Sequence, residues 1–160
     1  MKQTGSFFQK NTATFSAKTV LFVALLLCVI TTPARAQTTW TGATDTDWAT
    51  SSNWSAGVPG AAIDAIIPDV ANDPIIGAAA SAQSITVQSG AVLTIAAAVT
   101  LTINGFVTQG ILNQGTVENS GTLNIGQNTS TGLYGIRNES VFNNNTGGHI
   151  NIDRSTNTGL

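Results

Sequence analysis

The sequence predicts an all-β protein, a parallel β-solenoid (β-helix) of short strands closed at its amino-terminal end by a tryptophan-rich cap. Three observations predict it. Residues 85–108 fall into three rows of eight, "ITVQSGAV", "LTIAAAVT" and "LTINGFVT". A longer repeat follows: "NIGQNTSTGL" at 124–133 matches "NIDRSTNTGL" at 151–160. Upstream of it, Gly110, Ile111, Asn113, Val117 and Asn119 recur 25 positions on as Gly135, Ile136, Asn138, Phe142 and Asn144. No stretch after residue 36 sustains the apolar period of a helix.

Each row reads as a strand and a turn. Its first and third columns are apolar, Ile85, Leu93, Leu101 and Val87, Ile95, Ile103, with Thr86, Thr94 and Thr102 between them. Apolar–Thr–apolar is the alternation of a strand with one buried face. The other five positions turn the chain. Three sides of about eight residues close one coil of about 25, and each strand pairs with its equivalent one coil away. A lone coil cannot bury its apolar face, so the coils stack. Glycine supplies the corners that need positive φ. Asparagine tolerates the left-handed region and hydrogen-bonds nearby backbone. Asparagines of successive coils are also placed to bond one another. In "GILNQGTVENSGTLNIG", residues 110–126, the expected inward side chains are Leu112, Val117, Leu123 and Ile125.

The repeat offset grows from 25 to 27 near Asn145 and Thr146, where a loop absorbs the insertion. "PDVANDP" at 68–74 reads as a turn between two short apolar runs, and "AAASA" at 78–82 as a small-residue turn. A β-sandwich also uses short strands and many turns. Its strands seldom recur at a fixed interval, so the solenoid is the better reading.

Residues 1–36 read as a secretory signal peptide. Lys2, Lys10 and Lys18 precede an apolar run over 20–30, within an expected helix at 18–30. That run is too short for a membrane span, which needs roughly 20 residues. Ala34 and Ala36 then form the small-residue site that signal peptidase reads, so cleavage is expected after Ala36. The mature chain divides into a Trp-rich cap at 37–60 and solenoid coils at 61–160. The sequence stops inside a repeat, so further coils of a longer chain are expected partners.

Charge removes other partners. Past residue 36 only Arg137 and Arg154 are basic, against Asp45, Asp47, Asp64, Asp69, Asp73, Glu118, Glu139 and Asp153. Two positive against eight negative groups give a net −6. Nucleic-acid affinity comes largely from Lys and Arg neutralising phosphates, so no nucleic-acid partner is expected. Nor is membrane insertion of the mature chain. The single cysteine, Cys28, leaves with the signal, so stability rests on packing and backbone hydrogen bonds.

The segment "TWTGATDTDWATSSNWSAGVP" resembles the start of a group of bacterial secreted surface proteins. In that group Trp-x-Gly, Asn-Trp and Val-Pro follow a signal peptide, and a β-solenoid similar to pectin-lyase-like and adhesin-type parallel β-helices comes next. Trp40, Gly42, Asn53, Trp54, Val58 and Pro59 carry the match. The resemblance implies secretion or an outer-surface location.

Candidate chemistry is sparse. Trp40, Trp48 and Trp54 are the candidate binding residues, as a flat platform for polysaccharide or cell-surface glycans. The alternative is that they cover the open end of the solenoid. Asp45, Asp47, Asp64, Asp69 and Asp73 offer oxygens to Ca²⁺, but the spacing lacks the glycine and closing glutamate of an EF-hand loop. His149 replaces Thr122 in the repeat and reads as an exposed strand or turn residue. No catalytic residue, metal site or cofactor is expected. The reading is a non-catalytic exported stalk or adhesion scaffold. Two alternatives remain open: a carbohydrate-binding module, and the front of a polysaccharide-degrading β-helix enzyme.

Overall fold

The computed structural model describes residues 35–126 and 133–153. The signal-peptide helix expected at 18–30, Arg154 and the rest of 154–160 lie outside the described residues. One compact unit begins at Arg35.

A leading strand, β1 (Ala36–Thr39), is followed by four coils of three strands each. The first coil holds β2 (Ile63–Ile67), β3 (Ile75–Ile76) and β4 (Ala80–Ala82). The second holds β5 (Ser84–Val87), β6 (Val92–Ile95) and β7 (Thr100–Ile103). The third holds β8 (Gln109–Asn113), β9 (Thr116–Asn119) and β10 (Thr122–Ile125). The fourth holds β11 (Tyr134–Asn138), β12 (Val141–Asn144) and β13 (His149–Ile152). The first sheet runs β1-β2-β5-β8-β11, the second β3-β6-β9-β12 and the third β4-β7-β10-β13. Every neighbouring pair is parallel. The fold is therefore a parallel β-solenoid of about four turns.

The rows of eight are the three sides of one coil. Ile85, Leu93 and Leu101 are each the second residue of a strand, in three different sheets, and all are fully buried with Val87, Ile95 and Ile103. The longer repeat is the register between coils. Ile111 pairs with Ile136, Val117 with Phe142, and Leu123 with both Leu101 and Ile150. Stacking removes each aliphatic row from water, at about 2 kcal/mol for a fully buried Leu or Ile. The two inserted residues fall between β12 and β13.

Two local expectations are corrected. Residues 80–82 are strand, not turn: Ala80 sits beside Leu101 and Ala82 beside Ile103. Alanine is depleted in strands, but β7 supplies a ladder, and Ala82 packs fully buried at the inner face. Leu112 points outward and is only half-buried, while Ile111 and Asn113 face in. Strand alternation allows one parity only. Asn113 occupies an inward position because its amide is fully used there. Its Nδ2 donates to Asn138 Oδ1 and to the Val141 carbonyl, both at 2.7 Å, and its Oδ1 accepts from Gly115 N at 3.2 Å.

The cap is itself a partial winding of the solenoid. β1 pairs with β2, and Asp47 forms a parallel bridge to Ile75 at the edge of the second sheet. The winding thus begins at Ala36, the last residue of the segment read as signal peptide and one residue before the expected mature end.

One corner carries strain. Gly90 occupies column six of its row of eight with φ +92°, and Ala98 occupies the same column of the next row with φ +61°. A side chain in the left-handed region costs roughly 1–2 kcal/mol, and asparagine tolerates it best. Ala98→Asn is expected to raise stability by about 1 kcal/mol, read as a higher urea midpoint at unchanged slope. An unchanged or lower midpoint would contradict the strain at this corner.

Candidate functional site

The three tryptophans converge. Trp40 and Trp54 form an antiparallel bridge, and their rings meet edge to face at 5.1 Å and 78°. Trp48 meets Trp54 the same way at 4.7 Å and 78°. Their exposures are 1%, 3% and 5% for Trp40, Trp48 and Trp54, so none presents a ring face to a sugar in this conformation. The rings pack into one continuous core with Ile67 and Ile76 of the first coil. Edge-to-face pairs suit the ring quadrupole. Two indole N–H groups are spent internally, Trp40 Nε1 to the Asn72 carbonyl (2.7 Å) and Trp54 Nε1 to the Trp48 carbonyl (2.8 Å). Trp48 Nε1 is buried without a hydrogen-bond partner.

Asn53 organises the loop that carries these rings. Fully buried, it accepts from Thr44 N (2.8 Å) and Asp45 N (3.2 Å) at Oδ1. Its Nδ2 donates to Asp45 Oδ1 (2.6 Å) and the Asp47 carbonyl (3.0 Å). Gly42 has φ +56°, and a Cβ there would lie 2.6 Å from the Asn72 carbonyl oxygen. Asn72 in turn donates to the Gly42 carbonyl at 2.7 Å. Pro59 is buried and Val58 packs on the core. The residues Trp40, Gly42, Asn53, Trp54, Val58 and Pro59 thus build the cap, each through a specific contact or conformation. Asn53 was legible only as part of Asn-Trp; its role as the hub of the loop was not.

The acids are dispersed into turns and ladders. Asp45 Oδ1 accepts from Asp47 N, and Asp47 Oδ1 from Ala49 N, both two-residue Asx turns. Asp64 accepts from Ser84 Oγ at 2.7 Å, and Asp73 from Val92 N at 3.0 Å. Among the described residues no three His, Cys, Asp or Glu side chains come together. His149 opens β13, exposed, beside Thr122. Arg137 pairs with Glu139 at 2.6 Å on the surface.

Asp45 is held below its ordinary value of 3.8, chiefly by the Asn53 side chain and then by the Asp47 backbone N–H. A depressed carboxylate contributes stability above its unfolded pKa and loses it as pH falls through the folded one. The cap is therefore expected to hold through neutral and mildly acid pH and to loosen only below about pH 3.8. Tryptophan fluorescence against pH checks this: Asp45→Asn should flatten the acid limb, and a transition of the parent chain above about pH 5 would contradict it.

Two shallow hollows open beside the cap. One, of about 170 Å³, lies between Asp47, Trp48, Val58 and Pro59 on one side and residues 77–81 on the other. The other, of about 310 Å³, is bounded by Thr46, Asp47, Ala49, Ile75, Gly77 and Ala78. Both have largely apolar walls and a single carboxylate, Asp47.

A family profile described as a domain of unknown function, DUF8693, matches residues 39–159. The chain belongs to the DUF8693 family. No curated protein and no solved structure matches it. The DUF8693 match begins at the last residue of β1 and so takes in the tryptophan cap and all four coils. Cap and coils are one family unit.

Proposed function

We propose that this DUF8693 protein is an exported, non-catalytic surface scaffold of bacterial origin, a stalk or adhesion platform, with cell-surface glycans as the class of partner. One observation carries the reading. Three aliphatic rows, from Ala65, Ala80 and Ala82, run through four coils to Ile136, Ile150 and Ile152, with Ile136 and Ile150 half-buried and Ile152 53% exposed in the last described coil. Such a body extends by adding coils, and its product is length and a regular surface rather than a pocket. The outward columns of the third sheet are polar: Ser81, Thr102, Asn124 and Asn151 share one, and Thr100, Thr122 and His149 another. The acidic balance and the signal-like residues 1–36 support export.

The test expresses the full chain with a carboxy-terminal tag in a Gram-negative host. The scaffold reading expects a mature chain starting at Gln37, free or cyclised, with the tag labelled on intact cells. A chain that keeps residues 1–36 and stays in the cytoplasm refutes it. In the native host, deletion should reduce attachment to glycan-coated surfaces.

A further inference from the structure

We infer that the edge formed by β11, β12 and β13 is a directional docking edge. It takes a further coil running in the same sense with asparagine at the ladder positions, and it does not take a second copy of the chain edge to edge. The inference rests on the scaffold reading and adds what the next rung must carry.

The ladder has a direction. Asn113 sends both Nδ2 hydrogens to the following coil, to Asn138 Oδ1 and the Val141 carbonyl. Asn119 does the same, to Asn144 Oδ1 at 2.7 Å and the His149 carbonyl at 3.3 Å. Each keeps its Oδ1 for a glycine N–H of its own coil, Gly115 and Gly121, at 3.2 Å. On the outer face of the third sheet the direction reverses, because Asn151 Nδ2 donates back to Asn124 Oδ1 at 2.8 Å. In the last coil, Asn138 and Asn144 instead turn Nδ2 onto the Ser140 and Gly148 carbonyls of their own coil, both at 2.9 Å. The edge therefore offers amide donors at two corners and an amide acceptor, Asn151 Oδ1, on one face.

The apolar part of the edge is equally specific. Ile136, Phe142, Ile150 and Ile152 are register partners of Ile111, Val117, Leu123 and Ile125, all four of which are fully buried under the coil that follows them. An occupant must bring an aliphatic row, acceptors at two corners and a donor on the third sheet. A parallel coil with asparagines at the positions of Asn113, Asn119 and Asn124 brings all of these.

Two copies meeting edge to edge do not. The coil has three corners, and a two-fold that superposes two such edges either exchanges the Asn138 and Asn144 corners or sets one of them against itself. Each arrangement opposes donor to donor. Flipping the amide would break the bond from Asn113 or Asn119 below. A head-to-tail stack meets the other end of the body, where the tryptophans fill the core and β1 already covers β2.

The test extends the full chain after Leu160 with a copy of residues 109–133, which continues the repeat because Gln109 is the register partner of Tyr134. A second version carries leucine at the copies of Asn113 and Asn119. The asparagine coil is expected to raise the thermal midpoint by about 5 °C or more and to slow amide exchange in β11–β13 about tenfold. The leucine coil should give less than half that shift, and the parent chain should scatter light as a monomer. Equal stabilisation by the leucine coil overturns the inference. So does a parent dimer whose β11–β13 amides become protected as concentration rises, and this second readout stands even if neither extension folds. Cellular location decides the scaffold reading separately, since a cytoplasmic protein with a selective edge would leave this inference intact.

Discussion

Leu123→Ala is expected to lower stability by about 3–4 kcal/mol. Leu123 lies on β10 between Leu101 and Ile150, its neighbours in the coils below and above, and has no exposed surface. The loss has two parts: the transfer energy of the deleted methyl groups, and the cavity left because the stack cannot collapse onto it. Collapse is resisted here because the backbone on both sides of β10 is held by ladder hydrogen bonds at a fixed spacing of about 4.8 Å. In a body of this size each kcal/mol lowers the midpoint by roughly 3–6 °C, so thermal denaturation should show a fall of about 10–20 °C. A loss below about 1 kcal/mol would mean that this row is not a rigid stack.

Gly115→Ala is expected to cost about 3 kcal/mol by a different route. Gly115 forms the tight corner between β8 and β9, and a Cβ there would run into the carbonyl oxygens of Gln88 and Ala91 in the coil below. Both obstacles are backbone, and both belong to the preceding corner, where Ala91 N already donates to the Gln88 carbonyl. Neither can move without disturbing that turn. Gly60→Ala is the control, since a Cβ at Gly60 meets nothing within 4 Å and its φ is not positive. It should stay within about 0.5 kcal/mol of the parent. Denaturant melts of the two variants check the pair, and equal effects at positions 60 and 115 would remove the steric account.

Much of this architecture was legible because stacking forces a period on the chain. Ile85, Leu93 and Leu101 recur every eight residues because each holds the same inward position on one side of a coil, and Ile111 and Ile136 recur at 25 because they sit in adjacent rungs. The asparagine pairs were legible for the same reason. Legibility failed where local pattern and tertiary context disagree. The alanines of β4 hold no strand preference of their own, and only the neighbouring β7 makes them a strand. Leu112 and Ile111 are adjacent aliphatics, so composition could not choose which faces in. Asn113 makes the choice, through hydrogen bonds to residues 25 and 28 positions away.

The tryptophan zone divides in the same way. Its composition and position marked residues 37–60 as the covering of one end. Whether the rings faced a sugar or one another depended on contacts with the Asn72 carbonyl, with Trp48's own carbonyl and with the first coil.

By itself the sequence determined that the chain is all-β, that it repeats, and that it stacks coil on coil, because a periodic chain with few large side chains can bury its apolar rows only against copies of itself. Only the tertiary structure decided which parity of each strand faces inward, that the cap is a partial winding, and that the corner asparagines Asn113 and Asn119 donate toward the following coil. These depend on hydrogen bonds and packing between residues about 25 positions apart or more, and no local pattern of residue types encodes the direction of an amide.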